Sequence, residues 1–383
     1  MRELTDKISN QKLSFCYGLR NVLLLCHFDG LLLTLHQNSI IRKRDTVKIG
    51  TIDLGEMPLF LAPMEDVTYK SFRYMCKKYG ADVMYTEFVS SEALIRDIQK
   101  TKQKMTLFDF DRPVAIQIYG HDISSMVEAA KVAEECQPDF IDINYGCPMK
   151  KIIRHGAGAA MLLDPEKMQR MTEAIVKAVN IPVTAKTRLG WDHDSKIIVD
   201  VAERLQDAGV AALAIHGRTR SMLYTGEADW SLIADVKNNP RMHIPIIGNG
   251  DINGPEKAKA FLDQSGVDAL MIGRGSIGRP WIFKEVKHYL QTGEILPPPT
   301  VAEIVQNVRD QLEITIEWKD NIRSGILMMR RHFARYFPAL PNFRENRIRL
   351  LQAETLEAVQ EVLTAIEKQY GDLRVDYANV GLN

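Results

Sequence analysis

The sequence contains no Cys-x-x-Cys pair, and cysteine is scarce throughout. Five cysteines are spread over 383 residues, an odd number without the spacing of a zinc site or a redox dithiol. This usage argues against a disulfide framework and is typical of a reducing compartment, so we predict a cytoplasmic location. The cysteines are Cys16, Cys26, Cys76, Cys136 and Cys147.

The sequence also lacks a hydrophobic run long enough to cross a membrane. Its most apolar N-terminal stretch, from Val22 to Leu35, is interrupted by His27 and Asp29. It is shorter than the roughly 20 residues that a membrane-spanning helix needs. No small-residue cleavage site follows before the basic residues 42–44, so the stretch does not match a secretory signal peptide. We expect no membrane anchor and no export signal.

Net charge is absent, because 49 lysines and arginines balance 49 aspartates and glutamates. The protein as a whole therefore exerts no long-range attraction on polyanions, and any contact with nucleic acid must come from a local basic patch. Hydrophobic residues make up 45% of the sequence and charged residues 26%, which excludes disorder of the whole chain. The length exceeds one average domain and predicts two.

Short β-branched runs alternate with amphipathic, helix-like stretches from Pro58 onward. This alternation is typical of repeated βα units around a parallel sheet. Eight runs in succession indicate an α/β fold of the (β/α)8 TIM-barrel type, because an open doubly wound sheet uses fewer strands. The runs are residues 58–62, 82–86, 113–118, 140–144, 182–186, 211–216, 244–248 and 268–272.

Glycines cluster late in this pattern. The tripeptides 248–250 (Gly-Asn-Gly) and 273–275 (Gly-Arg-Gly) follow the ends of the seventh and eighth runs. Barrels commonly bind a phosphate group there, through loop amides and a helix N-terminus. The placement favours a phosphorylated cofactor.

The proline triplet 297–299 marks a domain boundary, since neither a helix interior nor a central strand accepts it. Thr300 and Glu303 then form the pattern of a capping box, and the sequence to about Tyr370 is helical in pattern. We predict three segments. They are residues 1–46, an N-terminal extension of uncertain role; 47–296, a TIM-barrel catalytic domain; and 300–375, a small C-terminal all-helical domain.

Polar residues stand at or just after the ends of six of the eight runs. Barrel active sites lie at this C-terminal rim, so these side chains should converge on one mouth. For any one of them the alternative is a hydrogen bond that closes a loop, whereas six together favour a site. They are Gln117, Asn144, Lys186, His216, Asn249 and Arg274.

Cys147 leaves the fourth run within the segment 144–148 (Asn-Tyr-Gly-Cys-Pro), where the proline constrains the loop. A rim thiol can act as an acid, a nucleophile or a metal ligand. Without a second cysteine or a histidine pair the metal interpretation is weak, and we predict no metal. Cys76 and Cys136 lie in helical patterns, where a cysteine is most often inert.

Lys186 ends a buried run, a position that is costly for an ammonium group unless it meets an anion. A reduced flavin would supply such an anion near N1 and O2 of its ring. The alternative is a pair with an internal carboxylate.

Arginines are concentrated between positions 330 and 349, with Glu345 as the only acidic residue and with Tyr336 and Phe343 interleaved. Such a face suits RNA phosphates, and the alternative is a solvated helix face. The set comprises Arg330, Arg331, Arg335, Arg344, Arg347 and Arg349.

Three further arginines extend the positive charge to the barrel rim. Arg188, Arg218 and Arg220 follow the fifth and sixth runs, where they would meet RNA or a base. The alternative is that they form internal ion pairs.

Successive motifs of the barrel resemble those of the tRNA-dihydrouridine synthases, over roughly residues 47–370. Two departures adjoin the first motif: Glu65-Asp66 stand where small residues are more usual, and Tyr69 replaces a frequent aspartate. The matching segments are 62–64 (Ala-Pro-Met), 67–68 (Val-Thr), 72–73 (Phe-Arg), 144–148, 186–191 (Lys-Thr-Arg-Leu-Gly-Trp), 216–220 (His-Gly-Arg-Thr-Arg), Tyr224, Gly226, 228–230 (Ala-Asp-Trp), 248–251 (Gly-Asn-Gly-Asp) and 273–275.

The resemblance implies a flavoenzyme that uses FMN and NADPH, or NADH, to reduce specific uridines in tRNA to 5,6-dihydrouridine. Flavin N5 would give a hydride to C6 of the uracil, and Cys147 would give a proton to C5. A cysteine with a pKa of about 8.5 is still mostly protonated at neutral pH. The nicotinamide cofactor would reduce the flavin and leave before the uridine enters.

The resemblance also implies contacts for particular residues. The uridine must be unstacked from the tRNA and swung into the barrel mouth, and we expect no obligatory protein partner. Flavin contacts are implied for Pro63, Met64 and Glu65 at the ring face, for Gln117, Lys186 and His216 at the ring, and for Asn249, Gly250, Asp251, Gly273 and Arg274 at the phosphate. Contacts with uracil or RNA are expected of Asn144, Arg188, Arg218, Arg220 and the helical arginines.

Two alternatives stay open on the sequence. A flavin barrel acting on a small pyrimidine, such as a dihydroorotate or dihydropyrimidine dehydrogenase, shares the fold and the chemistry but leaves the helical domain without a role. A non-catalytic tRNA-binding protein could keep the flavin as a structural ligand only.

Overall fold

The structure, a computed structural model, describes residues 24–28, 31–35, 45–96 and 98–377. Strands β1 (Leu24–Phe28) and β2 (Leu31–Leu35) form an antiparallel hairpin in the first unit of the chain, which ends at Asp45. The remainder of the predicted extension up to residue 44 lies outside the described residues, so its role stays a prediction.

A parallel barrel forms the larger part of the second unit. Its strands are β5 (Leu59–Leu61), β6 (Met84–Tyr85), β8 (Val114–Tyr119), β9 (Phe140–Asn144), β10 (Val183–Arg188), β11 (Ala212–His216), β12 (Ile246–Asn249) and β13 (Ala269–Ile272). They pair in the order β5-β13-β12-β11-β10-β9-β8-β6, and a bridge between Phe60 and Val83 closes the ring. Each strand begins within one of the eight predicted runs, which confirms the predicted barrel.

Alternation along the strands separates the barrel interior from the surface that the helices cover. On β9, Ile141 and Ile143 pack with the helices, whereas Phe140 belongs to an interior cluster. The two-residue period of a strand therefore turns Asp142 and Asn144 inward, above Phe140. The interior cluster contains Ile49, Phe60, Ala62, Val83, Tyr85, Ala115, Phe140, Ala212, Ala214, Ile247, Ala269 and Met271.

A small hairpin closes the lower end of the barrel. Strands β3 (Lys48–Ile49) and β4 (Ile52–Asp53) pair antiparallel. Ile49 is fully buried and packs into the interior cluster. Burial of this side chain leaves the opposite, C-terminal end of the barrel as the place where a ligand can enter.

Helices follow the strands, as the βα pattern predicts. No helix in the described part of the chain combines the length and the apolar character that a membrane span requires. The helices are α1 (Lys70–Lys78), α2 (Ser91–Ile95), α3 (Gln99–Lys104), α4 (Ile123–Glu135), α5 (Lys150–Ile153), α6 (Pro165–Ala178), α7 (Ile198–Asp207), α8 (Ser231–Lys237), α9 (Pro255–Ser265) and α10 (Ile282–Thr292), with 3-10 turns at Asp109–Asp111, Gly158–Leu163 and Arg274–Ser276 and strand β7 (Val89–Ser90) beside β8.

Up to residue 377, where the described part of the chain ends, four helices follow the proline triplet: α11 (Val301–Lys319), α12 (Ile322–Tyr336), α13 (Arg344–Gln352) and α14 (Leu356–Tyr370). The predicted capping box is present at the start of α11. The backbone N–H of Thr300 donates to Glu303 Oε2 at 2.7 Å, and the backbone N–H of Glu303 donates to Thr300 Oγ1 at 3.3 Å. These bonds satisfy amide groups that a helix start leaves unpaired.

The C-terminal helices pack against α1 of the barrel. Buried hydroxyls of Ser71 and Thr315 lie 2.6 Å apart, and the Tyr79 hydroxyl donates to Asn307 Oδ1 at 2.7 Å. Tyr69 is buried and stacks on Trp318, with ring centroids 6.0 Å apart. The helical segment is thus held against the barrel by specific side-chain contacts.

Gly248 on β12 is explained by packing. A Cβ atom at this position would lie 2.2 Å from Cζ3 of Trp230. Trp230 is buried and stacks on Phe261 with centroids 4.5 Å apart, and its indole N–H donates to the Gly250 carbonyl at 3.2 Å. Trp230 occupies the space that a side chain on β12 would need, so the first glycine of the motif is structural.

We expect Gly248→Ala to lower the free energy of unfolding by about 1–3 kcal/mol, because the added methyl group overpacks the site beside Trp230. Denaturant unfolding followed by circular dichroism measures this loss. Gly254→Ala is the matched control, since a Cβ there would meet no atom within 4 Å. Equal unfolding midpoints for the two variants would contradict the packing argument.

Candidate active site

A cavity opens at the C-terminal ends of the barrel strands. The strand register brings the polar rim residues side by side, since Asn144 pairs with Lys186, and His216 pairs with both Arg188 and Asn249. All six predicted rim residues line this one cavity. The predicted site residues that line it are Pro63, Met64, Gln117, Asn144, Cys147, Lys186, Arg188, His216, Asn249, Gly250, Asp251, Gly273 and Arg274.

Cys147 lies at the edge of the cavity with 8% of its surface exposed, packed among Phe88, Ile152 and Ala157. Burial raises the pKa of its thiol above the ordinary value, although the backbone N–H of Met149 acts in the opposite direction. The thiol is therefore protonated at neutral pH, the state that a proton donor requires.

Hydrogen bonds fix the loop that carries Cys147. Asn144 Oδ1 accepts from the backbone N–H of Gly146 at 3.1 Å and of Cys147 at 2.9 Å. The Cys147 carbonyl accepts from the Ala159 N–H at 3.1 Å. Gly158 has φ +61°, and a Cβ there would lie 2.9 Å from the Cys147 carbonyl oxygen. The backbone conformation and the close approach of the Cys147 carbonyl therefore require glycine at position 158.

Lys186 presents a half-buried cation to the cavity. Its Nζ donates to Asn249 Oδ1 at 3.1 Å, and the Asn249 amide nitrogen in turn donates to the Met271 carbonyl at 2.7 Å. Burial lowers the pKa of Lys186 to about 8, and the neighbouring Arg188 acts in the same direction. Among the described residues no carboxylate forms an ion pair with Lys186, so the alternative of an internal ion pair does not apply.

His216 is neutral in this setting. Burial lowers its pKa well below the ordinary value, and the surrounding cations Arg188, Lys186, Arg218 and Arg274 act in the same direction. Arg218 Nη1 lies 3.4 Å from His216 Nε2. Because a guanidinium can only donate, Nε2 accepts and the ring carries its proton on Nδ1.

Arg218 forms the internal ion pair that the sequence left as the alternative. It is 2% exposed, and its Nη1 and Nη2 each donate to one oxygen of Asp251 at 2.7 Å. Arg274 Nη2 also approaches Asp251, at 3.2 Å. The Asp251 carboxylate is thus engaged by two guanidinium groups, and its role is to orient arginines, since its own charge would repel a phosphate.

Arg188 is buried and donates to three backbone carbonyls: Gly146 at 2.7 Å, Thr219 at 3.0 Å and Leu223 at 2.9 Å. Its charge therefore faces the cavity from a fixed position beside the Cys147 loop. Arg220 instead stacks on Trp191, with its guanidinium carbon 4.4 Å from the ring centroid.

Tyr224 and Phe88 line the cavity, and sequence reasoning assigned neither a role. The Tyr224 ring lies between Arg188 and Arg274, with their guanidinium carbons 5.5 Å and 4.8 Å from its centroid. Two cations on one aromatic ring keep it at the mouth. Tyr224 lies within a motif that matches the family, and this was a sign in the sequence that it belongs to the site. Phe88 follows β6 and lies in no such motif.

Glu65 is placed outside the group of described residues that line the cavity. Its carboxylate accepts from Lys104 at 2.5 Å, and its carbonyl accepts from Arg331 at 3.1 Å. Arg331 also approaches Asp66 Oδ2 at 3.4 Å. The acidic pair that departs from the family pattern therefore contacts α12 of the helical segment.

The other helical arginines divide by exposure. Arg330 is half-buried and donates to the Ala353 carbonyl at 3.4 Å. Arg335 is half-buried at the end of α12 that packs on Gly278, and its charge acts on Arg274 at the cavity. Arg344 and Arg347 on α13 are exposed, and neither forms an ion pair with a described residue.

The cavity fits an anionic, phosphorylated cofactor. Lys186 and Arg274 supply positive charge on two sides. Glycines bring the backbone close: a Cβ at Gly250 would lie 2.7 Å from the Ala228 Cβ, and one at Gly275 would lie 2.3 Å from the Ile252 carbonyl oxygen. Only a chain without side chains at these positions can present its amides at this edge of the cavity.

Residues 60–370 match the family described as dihydrouridine synthase (Dus). The chain belongs to this family. It is 40% identical over 313 residues to tRNA-dihydrouridine synthase B of Pseudomonas aeruginosa, covering 82% of this chain and 93% of that one. It is 41% identical over 290 residues to the protein of that name from Shewanella oneidensis, covering 76% and 89%.

A solved structure shares the fold of this dihydrouridine synthase family member. Histamine dehydrogenase from Rhizobium sp. 4-9 aligns with a TM-score of 0.51 and 10% identity, over 86% of this chain and 65% of that chain. At 10% identity the likeness shows the fold alone.

The low pKa of Lys186 predicts a pH dependence of anion binding. We expect the affinity of the cavity for FMN to decrease as pH rises above about 8, because Lys186 then loses the charge that attracts the ligand. Fluorescence titration of the flavin-free protein between pH 6.5 and about 9.5, a range that spans the Lys186 value, measures the effect. Lys186→Met should bind weakly at every pH and show no step, and a wild-type affinity that stays flat across this range would contradict the assignment.

Proposed function

We propose that this protein reduces uridines of tRNA to 5,6-dihydrouridine, with FMN in the cavity and NADPH or NADH as the reductant. The observation that best supports this proposal is a buried, protonated thiol, Cys147, at the edge of a cation-lined cavity in a member of the dihydrouridine synthase family. The relatives named tRNA-dihydrouridine synthase B support the choice of substrate. A reducing cytoplasm suits the free thiol.

We assign the flavin contacts from the arrangement of the cavity. Arg274 and the backbone of Gly250 and Gly273 would hold the phosphate, while Pro63 and Met64 would lie against the ring. Gln117, Lys186 and His216 would meet the polar edge of the ring, and Asn249 fixes the Lys186 ammonium group. Bound flavin would supply the hydride for C6 of the uracil.

Cys147 would supply the proton for C5. Its thiol is held protonated by burial, and the loop that carries it is tied by Asn144 and Arg188. Once the proton is given, the thiolate faces the positive charges of Arg188 and Lys186, which favour the charged form. These cations stabilise the product state of the proton transfer until a new proton arrives.

The RNA would be held on two sides of the mouth. Arg344 and Arg347 present exposed positive charge on the helical segment, and the charge of Arg335 acts on Arg274 at the cavity. On the barrel side, α5 begins three residues after Cys147 and carries exposed Lys150 and Lys151. Positive charge on both sides suits the phosphates that flank an extruded uridine.

Anaerobic half-reactions test the proposed reaction. NADPH should reduce the bound flavin in the wild type, and unmodified tRNA should then reoxidise it and yield dihydrouridine. In Cys147→Ala we expect flavin reduction to persist and the tRNA step to slow by about 100-fold or more, because the general acid is lost. Cys136→Ala removes an exposed thiol and serves as the control. A flavin that ignores tRNA but reacts with free pyrimidines would instead indicate a small-molecule dehydrogenase.

The helical arginines are tested by tRNA affinity. We expect Arg344→Ala with Arg347→Ala to weaken binding and to reduce the slope of log affinity against log salt by about 1.5, since two phosphate contacts are lost. Flavin content should not change. Arg323→Ala removes an arginine already paired with Glu354 at 3.2 Å and is the matched control. An unchanged salt slope in the double variant would remove α13 from the RNA surface.

A further inference from the structure

A carboxylate is buried in the barrel below the cavity. Asp142 on β9 is fully buried and accepts from Gln117 Nε2 at 2.6 Å and from Thr184 Oγ1 at 2.5 Å. It is not among the described residues that line the cavity. Burying a carboxylate is costly, so its position needs a reason beyond filling space.

Hydrogen bonds connect Asp142 to the loop of Cys147. Gln117 Oε1 accepts from Asn144 Nδ2 at 2.8 Å, and Asn144 Oδ1 accepts from the backbone N–H of Gly146 and of Cys147 at 3.1 and 2.9 Å. The sequence of contacts is Asp142, Gln117, Asn144 and then the Cys147 backbone. We call this series the Asp142 chain.

The direction of the Asp142 chain is forced at both ends. An ionised carboxylate only accepts, so the Gln117 amide must turn its nitrogen toward Asp142 and its oxygen toward Asn144. A backbone N–H only donates, so the Asn144 amide must turn its oxygen toward Cys147 and its nitrogen toward Gln117. Side-chain amides can otherwise rotate by half a turn with little change in shape, and here both are held in one orientation.

This direction decides what the cavity offers to a ligand. Gln117 and Asn144 each keep a second N–H for which the described residues provide no acceptor, and both side chains line the cavity. An N–H donor suits a carbonyl oxygen of a pyrimidine. In the proposed function the Gln117 donor would meet the pyrimidine edge of the flavin, and the Asn144 donor would meet the uracil. With the chain reversed, the amides would present carbonyl oxygens, and these would repel the same group.

The geometry points to Asp142 as a positioning residue: its carboxylate fixes the direction of the Asp142 chain, and through it the Cys147 loop and the N–H donors that meet a pyrimidine carbonyl. The inference rests on the proposed function for the identity of the pyrimidine. The position of the thiol depends on the chain whatever the substrate is.

The charge state of Asp142 supports the same role. Burial raises its pKa to about 6, while the donors Gln117 and Thr184 and the charge of Lys186 act in the opposite direction. Tyr85 on β6 also faces the carboxyl. Below this pH the carboxyl group gains a proton and can donate, so the direction is no longer enforced at the Asp142 end and only the backbone N–H groups at the other end still favour it. The tRNA step should therefore weaken as pH falls through about 6.

Asp142→Asn is the direct test, because asparagine keeps the shape but can donate as well as accept. With flavin-loaded protein, we expect the tRNA-dependent reoxidation to slow by about tenfold or more, because a small displacement of a reacting group lowers the rate by this order. Reduction by NADPH should change far less, and the loss of rate that we expect in the wild type below a pH of about 6 should disappear. Thr184→Val is the matched control, since it removes the other bond to the same carboxylate and leaves the Asp142 chain intact.

Alkylation of Cys147 by iodoacetamide, quantified by mass spectrometry of the peptide, tests the loop without using activity. We expect Asp142→Asn to alkylate several-fold faster at Cys147 than the wild type, with Thr184→Val unchanged and Cys136 as the internal reference. If Asp142→Asn does not accumulate, Gln117→Met breaks the same chain at its next link and should show the same increase.

Equal alkylation rates in Asp142→Asn and the wild type would overturn the inference. So would equal slowing of both half-reactions, or an equal effect of Thr184→Val, since either would indicate general packing. Failure of wild-type protein to act on tRNA would instead remove the proposed substrate, and the alkylation rates would still decide the role of Asp142.

Discussion

The structure depends on how four buried or half-buried cations are held at one end of the barrel. Lys186, Arg188, Arg218 and Arg274 share this region with the carboxylate of Asp251 and, below it, Asp142. Backbone carbonyls and Asp251 satisfy Arg188 and Arg218. Lys186 has an amide as its hydrogen-bond partner, which leaves its charge available to an anion. The charges of Arg188 and Arg218 are therefore held by groups of the protein itself, whereas the charge of Lys186 remains available to a ligand.

The helical segment is integrated with the barrel through positions that depart from the family pattern. Tyr69, where an aspartate is frequent, is buried against Trp318 and His332, with centroids 6.0 and 5.4 Å away. Glu65 and Asp66 contact Arg331 of α12. The segment next to the first motif thus contacts the helical segment and also supplies Pro63 and Met64 to one wall of the cavity. The orientation of the helices that carry the proposed RNA surface is therefore coupled to this wall.

The barrel and most of its rim could be predicted from the sequence, because strand periodicity and the C-terminal location of barrel active sites are local rules. Lys186 and Asn249 were found in this way. The pairing of Arg218 with Asp251 could not be predicted, because the two residues are 33 apart in sequence. A motif also does not indicate whether its arginine faces solvent or a carboxylate. Gly248 suits a phosphate loop by position, but its cause is Trp230 on a different segment. Asp142 lies within a predicted β-strand yet gave no signal, because its role depends on the direction of hydrogen bonds between the two strands β8 and β9.

The small hairpin at the lower end of the barrel limits how ligands can reach the cavity. Because Ile49 fills the lower end of the barrel, the reductant and the nucleic acid of the proposed function would have to reach the cavity through the same opening, at the C-terminal ends of the strands. The two could not occupy this opening together. Between the two steps the electrons would have to be held by a cofactor that stays bound, which is a physical reason for the flavin in the proposed function.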